Sequence, residues 1–405
     1  MKYQTIIAGA GPAGLFAGAM LKNSPALILE KKELPGRKLM ISGTGQCNFT
    51  HAGNINEFKN HFGEGYNFLK HAFKSFSNHD SIRFFRERGV SSITEDNGKV
   101  FPSSRKASDI LEALVNSCDA KIIQIKTGHS IKSITKENEV FKIVTDSSIF
   151  FAENLIIATG GKSYPSTGST GDGYLFAQSL GHSVTEPNPA LAPVIIENYS
   201  FQELAGVSVK DAEVMLKESH GTTRNYKGDI LFTHQGLSGP GILNFSRYLR
   251  AGQTLQVNFA GLSENELEKL FTNNAGIQGK QSISTFARTL NIPRSLINTI
   301  IQLSIGSATR PLAEISRQQR KHFINLCCAF PFKIEKVGGF KNAMVTAGGV
   351  NRDEINPLTM ESKLVPGLYF CGEVIDIDGD TGGYNIQAAF STAHLAAMSI
   401  NKKAT

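Results

Sequence analysis

Three glycines near the N-terminus, Gly9, Gly11 and Gly14, have the spacing with which a backbone binds the pyrophosphate of a dinucleotide. At these positions the first glycine permits a tight turn, the second lets the backbone approach the phosphates, and the third lets a helix pack closely on a strand. The N–H groups at the start of that helix carry partial positive charge and attract phosphate oxygens. The pattern therefore predicts a dinucleotide site, which includes the intervening Pro12 and Ala13.

The same kind of site requires an acidic residue at the end of the next strand, and Glu30 stands there. Residues 3–8 and 26–29 are short apolar runs that predict buried strands, and residues 15–21 predict the helix between them. Because Glu30 follows Gly9 by 21 residues, its carboxylate can bind both ribose hydroxyls of an adenosine and would repel the extra phosphate of NADP. The βαβ unit leaves NAD and FAD as candidates.

Two later parts of the chain favour FAD. Residues 155–161 predict a strand ending in Ala-Thr-Gly-Gly, and residues 367–373 predict a strand that delivers Glu373. A Gly-Gly pair then precedes a helix over residues 386–398. Together these parts resemble the glutathione-reductase-like FAD fold, in which the acid binds the ribitol hydroxyls and the last helix directs its N-terminus at the flavin N1–C2=O edge. The segments before residue 155 predict a β-meander: 121–125, 130–134, 141–145 and 149–151.

A closer resemblance rests on four further motifs. They are residues 35–50 (PGRKLMISGTGQCNFT), 168–173 (GSTGDG), 228–240 (GDILFTHQGLSGP) and 346–350 (TAGGV). With these motifs the chain resembles the BaiN/RdsA family of flavoproteins from residue 5 to residue 398. It departs from the family pattern at Gln46, where the family often has arginine. The missing cation weakens any role carried over to that position.

The loop over residues 36–48 is rich in glycine and carries Arg37 and Lys38. Successive backbone N–H groups and a guanidinium suit a second face of the pyrophosphate and the flavin edge, whereas a solvated basic loop is the alternative. With the resemblance, the predicted FAD-binding residues are Gly9, Gly11, Pro12, Ala13, Gly14, Glu30, Lys31, Arg37, Lys38, Ser42, Gly43, Thr44, Gly45, Asn48, Ile131, Thr159, Gly160, Gly161, Gly372, Glu373, Gly383, Tyr384 and Asn385.

Three side chains are candidates for catalysis. Cys47 lies in the predicted flavin-proximal loop as a redox thiol or proton donor, but it has no partner cysteine nearby in sequence, and packing is the alternative. His234 suits either a substrate mouth or a structural polar cluster. Tyr384 begins the last helix beside the expected flavin and could donate a proton, whereas helix capping alone would explain Asn385.

The sequence contains no motif for a metal site, a hydrolase, a disulfide framework or a membrane span. The ten histidines are scattered without metal-ligand spacing, so we expect no metal, and no Gly-x-Ser-x-Gly elbow is present. The five cysteines form no regular disulfide framework, and no run of about 18 apolar residues could span a bilayer. The N-terminal apolar stretch is interrupted by Gly-Pro and carries only Lys2 as a charged leader, which argues against a signal peptide. These features predict a cytoplasmic protein.

The chain of 405 residues exceeds the length of about 250–300 residues at which a single core stops growing. We predict an α/β protein with a discontinuous, glutathione-reductase-like Rossmann FAD-binding domain, an inserted β-rich domain and a nested helical subdomain. Within the insert, residues 223–232 predict a strand and Ser263 with Glu266 predicts a capping box. The predicted domains are 1–188 with 342–405, 189–260 with 326–341, and 261–325.

The resemblance implies reduction of a conjugated C=C bond, with hydride passing from NAD(P)H through FAD to the substrate. No second GxGxxG follows a strand, so NAD(P)H is expected as a transient electron donor. The two substrate classes of the family are a ribosomal RNA uridine, which becomes dihydrouridine, and a steroid-like enone. A non-catalytic flavin-binding protein that acts on RNA or ribosomes is the alternative.

The formal charge of +7 permits an anionic partner. Basic residues cluster on two predicted helical stretches, which could contact phosphates or form solvated helix faces. No DNA- or RNA-binding module is recognisable. The clustered residues are Arg83, Arg86 and Arg88 on one stretch and Arg310, Arg317, Arg320, Lys321 and His322 on the other.

Overall fold

The strands and helices below belong to a computed structural model that describes residues 2–22, 25–120, 123–217 and 221–403. The strands are β1 (Lys2–Ala8), β2 (Ala26–Leu29), β3 (Thr50–His51), β4 (Ser92–Thr94), β5 (Lys99–Pro102), β6 (Gln124–Lys126), β7 (Ile131–Glu137), β8 (Val140–Thr145), β9 (Ile149–Ile157), β10 (Val184–Ala190), β11 (Val194–Ile196), β12 (Ser208–Lys217), β13 (Thr223–Phe232), β14 (Gly236–Ser238), β15 (Thr254–Asn258), β16 (Phe330–Val337), β17 (Val345–Val350) and β18 (Leu368–Phe370). The α-helices are α1 (Pro12–Met20), α2 (Arg37–Ile41), α3 (Gly65–Ser75), α4 (Asn78–Arg86), α5 (Ala107–Asp119), α6 (Asp172–Ser179), α7 (Pro240–Phe245), α8 (Glu264–Ile277), α9 (Ile283–Ala287), α10 (Arg294–Ser304), α11 (Arg317–Cys328) and α12 (Tyr384–Lys403).

The chain divides into two units. The first unit comprises Met1–Ala190 and Phe340–Thr405, and the second comprises Leu191–Gly339. The first unit is therefore built from both ends of the chain, and the second is an insertion. Within the described residues, no helix is both long enough and apolar enough to cross a bilayer.

The main sheet of the first unit confirms the predicted Rossmann fold. Its order is β6-β2-β1-β9-β8-β7, and β18 also pairs with β9. The parallel register sets Ile7 of β1 opposite Ile28 of β2 and Ile156 of β9. Because these central strands are covered on both faces, they are continuous apolar runs. The predicted cofactor residues Gly9, Glu30 and Thr159 therefore follow the carboxyl ends of the adjacent strands β1, β2 and β9.

Two details of the predicted meander are wrong. Strand β6 pairs in parallel with β2, outside the meander, and the predicted residues Lys121 and Ile122 lie outside the described part of the chain. The predicted strands at 149–151 and 155–158 are one strand, β9, which pairs antiparallel with β8 and in parallel with β1 and β18. Burial alternates along the first half of β9 and becomes continuous in the second half, where the strand enters the centre of the sheet.

The first and last α-helices pack together in the first unit. Phe16 of α1 lies 4.9 Å from the Phe390 ring of α12, and Phe76 and Phe84 complete a cluster of buried rings. At the far end, the Asn401 side chain accepts from Lys22 N at 2.9 Å and donates to Met20 O at 3.0 Å. The C-terminal helix is thus fixed to the N-terminal βαβ unit along its length.

The second unit contains a closed barrel with the strand order β11-β14-β13-β12-β15-β16. Strand β13 has the predicted bounds, and Ser263 and Glu266 form the predicted capping box at the start of α8. Helices α8–α11 and the barrel share one hydrophobic cluster, to which Phe271 and Phe323 contribute from the helices and Phe332 from the barrel. Barrel and helices are therefore stabilised by a common core.

A buried imidazole joins two loops of the first unit. His182 Nδ1 lies 3.1 Å from Glu354 Oε2, and its Nε2 lies 2.8 Å from Ser362 Oγ. A carboxylate, an imidazole and a hydroxyl follow one another here as in a hydrolase triad. The Ser362 oxygen, however, also accepts from Leu364 N and Val365 N. These N–H groups occupy the lone pairs that a nucleophile needs, so the arrangement fixes the loop after residue 351 rather than performing hydrolysis.

This imidazole makes stability depend on pH. Burial lowers the pKa of His182, although Glu354 raises it, so the folded state favours the neutral ring. Its contribution is complete above the unfolded pKa of about 6.5 and is lost as the pH falls below that value. His394 behaves alike, since burial lowers its pKa against the opposing charge of Asp80.

We expect urea unfolding free energies to fall between about pH 7.5 and about pH 5.5, by at most about 1.4 kcal/mol per pH unit for each histidine. His182→Gln should reduce that pH slope, whereas the same change at the surface residue His322 should preserve it. A slope unchanged in His182→Gln would show that the buried ring does not titrate with unfolding.

Candidate functional site

The glycine loop of the first unit is shaped by contacts with β9 and with itself. Gly9 has φ +103°, and a Cβ there would lie 2.6 Å from Ala158 O. A Cβ on Gly14 would lie 1.9 Å from Gly9 O, whereas a Cβ on Gly11 would have nothing within 4 Å. Helix α1 begins at Pro12, and no side chain caps its N-terminus. The loop therefore presents an uncapped helix start toward an open space beside Gly11.

Glu30 is held at the end of β2 by the backbone. Its Oε2 accepts from Ala10 N and its Oε1 from Lys32 N, each at 2.9 Å. Lys31 points to the predicted loop at residues 168–173, where its Nζ binds Thr170 Oγ1 and Asp172 Oδ2. Because two N–H donors fix the carboxylate beside the glycine loop, its remaining lone pairs are available to ribose hydroxyls.

A second polar cluster lies where β9 ends. Gly161 permits close contact with β17, because a Cβ there would lie 2.4 Å from Thr346 Oγ1. That hydroxyl accepts from Lys162 N at 2.8 Å, and Thr346 N donates to Glu373 Oε1 at 2.8 Å. The TAGGV motif, to which the sequence analysis gave no role, thus joins Gly160 and Gly161 to the predicted ribitol-binding acid, which follows Gly372.

Lys38 and Glu373, which are 335 residues apart, form an ion pair in this cluster. Lys38 Nζ lies 2.8 Å from Glu373 Oε2 and 3.1 Å from Oε1. Both carboxylate oxygens of Glu373 therefore have donors from the protein. We predicted the two residues as separate cofactor contacts, and sequence spacing carried no signal of their pairing. Binding of ribitol by Glu373 stays a prediction, and it requires Lys38 to share the carboxylate.

The loop after α2 has an unusual backbone. Gly43, Thr44 and Gly45 have φ values of +54°, +56° and +86°, which glycine adopts more readily than other residues. Ser42 Oγ donates to Leu39 O, and Asn48 Oδ1 accepts from Val100 N at 3.2 Å. Gln46 N and Cys47 N donate to Gly43 O and Ser42 O, so these N–H groups hold the turn itself. Arg37 is exposed at the start of α2.

Cys47 is buried in the same loop and has φ +58°. Burial raises the pKa of its thiol to about 12, although a hydrogen bond with Ser42 lowers it. At neutral pH the sulfur is therefore protonated, and the environment favours packing over the predicted redox role.

We expect Cys47 to resist thiol reagents in the folded protein. All five cysteines are free and buried, so native labelling at about pH 8 should be slower than labelling in urea by about 100-fold or more. Mass spectrometry after a timed reaction locates the label. Rapid native modification at Cys47 would restore the thiolate hypothesis.

Tyr384 stacks on two neighbouring imidazoles at the start of α12. Its ring stacks on His61 with a centroid distance of 4.1 Å and on His51 at 4.8 Å. His61 Nδ1 lies 3.1 Å from Asp380 Oδ2. The sequence carries no signal that these histidines meet Tyr384, because no spacing rule joins residues 51, 61 and 384. The buried, stacked position of Tyr384 gives it a structural role that the sequence did not predict.

The remaining predicted residues lie in different environments. Asn385 accepts from Gly379 N and donates to Gly379 O and Asp380 O, so it fixes the preceding turn. Gly383 approaches β3, since a Cβ there would lie 2.4 Å from Thr50 O. Ile131 is half-buried where β7 begins. His234 is exposed in the turn between β13 and β14 of the second unit.

Two buried hydroxyls of the first unit bear on whether the polar groups of this site suit FAD as a ligand. Thr159 Oγ1 and Tyr174 Oη are buried without a hydrogen-bond partner among the described residues. Burial raises the pKa of Tyr174 well above its usual range, and Glu373 and Asp376 raise it further. Orphaned polar atoms beside an acid and the glycine loop suit a polar ligand that supplies their partners. The donors and acceptors present therefore fit FAD.

A metal centre has no comparable support. Across residues 2–22, 25–120, 123–217 and 221–403, no group of three or more His, Cys, Asp or Glu side chains could hold a metal ion. The polar groups of the site are instead hydroxyls, carboxylates and backbone N–H groups, which bind sugars and phosphates.

Comparison with known proteins gives one family over almost the whole chain. Residues 3–399 match the HI0933-like protein Rossmann domain. The chain is 30% identical to "Ribosomal RNA dihydrouridine synthase" of Escherichia coli, with 98% of both chains covered. It is 31% identical to "3-dehydro-bile acid delta(4,6)-reductase" of Clostridium scindens, with 96% of this chain and 97% of that protein covered.

The fold is also shared with more distant enzymes. The solved structure of 3-ketosteroid-delta4-(5alpha)-dehydrogenase from Rhodococcus jostii matches 99% of this chain and 97% of its own with a TM-score of 0.53 and 12% identity. Similarity at this level of identity concerns the fold alone. It agrees with the Rossmann FAD-binding architecture predicted from the motifs.

Proposed function

Because the chain belongs to the HI0933-like protein Rossmann domain family, we propose that it is an FAD-dependent reductase that adds hydrogen across a polarised C=C bond with NAD(P)H as donor. The names of both relatives describe hydrogenation of a double bond, in a uridine of ribosomal RNA or in a bile acid. The substrate of this chain is accordingly a ribosomal RNA uridine or a steroid-like enone.

The glycine loop is the observation that carries the proposal. Gly11 faces open space at the uncapped start of α1, and Glu30 is fixed beside it by two backbone N–H groups. This arrangement supplies donors to a pyrophosphate and acceptors to a ribose. The buried hydroxyls of Thr159 and Tyr174 support a ligand that extends along the same unit.

FAD, when bound, supplies the hydride transfer. The residues of this chain that would hold it are Gly9, Gly11 and Gly14 at the pyrophosphate, Glu30 at the ribose, and the cluster around Glu373 at the ribitol. Helix α12 offers partial positive charge at its N-terminus, which would stabilise the negative charge that a flavin gains on reduction. A proton must also reach the substrate, and Tyr384 is our candidate donor, although its ring stacks on His51 and His61.

The test is anaerobic reduction of the purified yellow protein. NADH or NADPH should bleach the flavin absorbance, and addition of a uridine-containing ribosomal RNA fragment or a steroid enone should restore it. The product is then identified by mass spectrometry. A flavin that neither nicotinamide reduces would overturn the proposal. Tight RNA association without turnover would favour the non-catalytic flavin protein instead.

A further inference from the structure

The GSTGDG motif at residues 168–173 contacts two different parts of the predicted cofactor site. A Cβ on Gly168 would lie 3.1 Å from Lys32 Cγ, so this glycine packs against the residues that follow β2. A Cβ on Gly173 would lie 2.1 Å from Thr159 Oγ1, so this glycine packs against the residues that follow β9. The motif therefore joins the ends of two strands, and we call residues 168–173 the strap.

The order of the strands places the strap beside the glycine loop. In the main sheet of the first unit, β1 lies between β2 and β9. A segment that contacts the residues after both outer strands therefore crosses the carboxyl end of β1, where the glycine loop begins at Gly9. Dinucleotides bind in the crevice outside the carboxyl ends of such strands. The strap thus lies along the edge of the sheet at which the pyrophosphate is predicted to bind.

Close contacts fix the strap on the side of β9. Gly171 has φ +86°, and a Cβ there would lie 2.8 Å from Lys162 Cγ. Ser169 is only 8% exposed, and its Oγ would lie 3.3 Å from a Cβ on Gly160. Helix α6 begins directly after Gly171, at Asp172. Movement on this side would therefore disturb both α6 and the end of β9.

On the side of β2, the strap is held by an ion pair with Lys31. The Lys31 Nζ donates to Thr170 Oγ1 and to Asp172 Oδ2, and Thr170 Oγ1 donates to Asp172 Oδ1 at 2.7 Å. The side chains of Lys31 and Asp172 are 23% and 35% exposed. Water and salt screen an ion pair with this exposure, so it contributes little to folding stability and can open while the fold persists.

We propose that the ion pair between Lys31 and Asp172 holds the strap closed beside the dinucleotide and thereby sets how fast FAD enters and leaves the protein. Lys31 directly follows Glu30, the predicted ribose-binding acid, so the pair lies at the adenosine part of the predicted site. A segment that is fixed on one side and held by an exposed ion pair on the other can open without unfolding of the domain.

Lys31 was predicted to contact FAD directly. Because its ammonium group already binds two oxygens of the strap, its role in this proposal is to hold the strap. The inference rests on the proposed function, since it takes FAD as the resident cofactor.

The test measures the rate constants for FAD release and FAD uptake by the full-length protein. For release, protein loaded with isotope-labelled FAD is mixed with excess unlabelled FAD, and the bound label is followed by rapid gel filtration. For uptake, apoprotein is mixed with FAD and flavin fluorescence is recorded. Lys31→Met should raise both rate constants about fivefold, because the same opening precedes passage in either direction. The Kd, which is their ratio, should stay within about twofold of that of the natural protein.

Three further variants show whether the ion pair is the cause. Lys31→Arg, which retains the pair, should leave both rate constants within about twofold of the natural values. Asp172→Asn should reproduce the effect of Lys31→Met, and the double variant should be no faster than either, because all of them lack the same contact. Thr170→Val replaces Asp172→Asn if that variant does not fold, since Asp172 also begins α6. Circular dichroism and urea unfolding of the apoprotein establish that each variant is folded.

Lys2→Met is the matched control. It removes a lysine that pairs with Glu153 at 3.1 Å in the same unit, at the amino end of β1. Its rate constants for FAD should equal those of the natural protein. Faster release with unchanged uptake in Lys31→Met would make Lys31 a direct ligand of FAD and would overturn the proposal. Unchanged rate constants in Lys31→Met would overturn it as well, because the pair would then be a surface contact only.

Failure of this proposal is distinguishable from failure of the proposed function, because FAD exchange is measured without a nicotinamide or a substrate. Exchange rates that respond to Lys31→Met as expected, in a protein whose flavin neither nicotinamide reduces, would contradict the proposed reaction alone. A flavin that is reduced and then reoxidised by substrate, with exchange rates that Lys31→Met leaves unchanged, would contradict the role of the strap alone.

Discussion

Replacing Gly14 with alanine should give a protein that is poorly folded and colourless. The new Cβ would lie 1.9 Å from Gly9 O. Neither residue can easily move, because the parallel sheet and α1 hold their backbone in place. Relief requires α1 to move away from the sheet, which we expect to cost about 3 kcal/mol of unfolding free energy. The measurements are urea unfolding and the flavin-to-protein absorbance ratio after purification.

Gly11→Ala separates FAD binding from folding. A Cβ at position 11 meets nothing within 4 Å. The free energy of unfolding of this variant should therefore lie within about 1 kcal/mol of that of the natural chain. FAD affinity should nevertheless fall about tenfold or more, since the methyl group occupies the space in which the pyrophosphate approaches. Normal flavin retention by Gly11→Ala would mean that the phosphates do not lie on this loop.

Glu30→Gln should weaken FAD binding about 100-fold or more. The change removes the charge that strengthens hydrogen bonds to two ribose hydroxyls, and it places an amide N–H₂ opposite the N–H of Ala10 or of Lys32. Titration of the apoprotein with FAD, followed by flavin fluorescence, gives the Kd.

The control is Glu33→Gln, which removes the same charge three residues away at an exposed position. Its affinity for FAD should match that of the natural protein. If both variants bound FAD equally well, Glu30 would only stabilise the turn between Ala10 and Lys32, and the ribose would have another partner.

The βαβ unit could be predicted from sequence because its signals are local. The strand, the glycine spacing and Glu30 lie within the first 30 residues, and each has a steric or electrostatic reason that needs no distant contact. The capping box at Ser263 and the bounds of β13 are local in the same sense. Strand β9 was divided into two strands, because its burial pattern changes where its neighbours change.

The polar clusters of the site depend on tertiary contacts. Lys38 contacts Glu373, and Tyr384 stacks on His51 and His61, only because the last strand and helix return to the first sheet.

Assembly from both chain ends has a consequence during synthesis on the ribosome. Strand β18 pairs with β9 and α12 contacts α1, yet both are synthesised only after the whole inserted unit. The inserted barrel can acquire its structure earlier, while the nascent N-terminal half still lacks its last strand. We therefore expect nascent polypeptides truncated before residue 368 to remain without FAD.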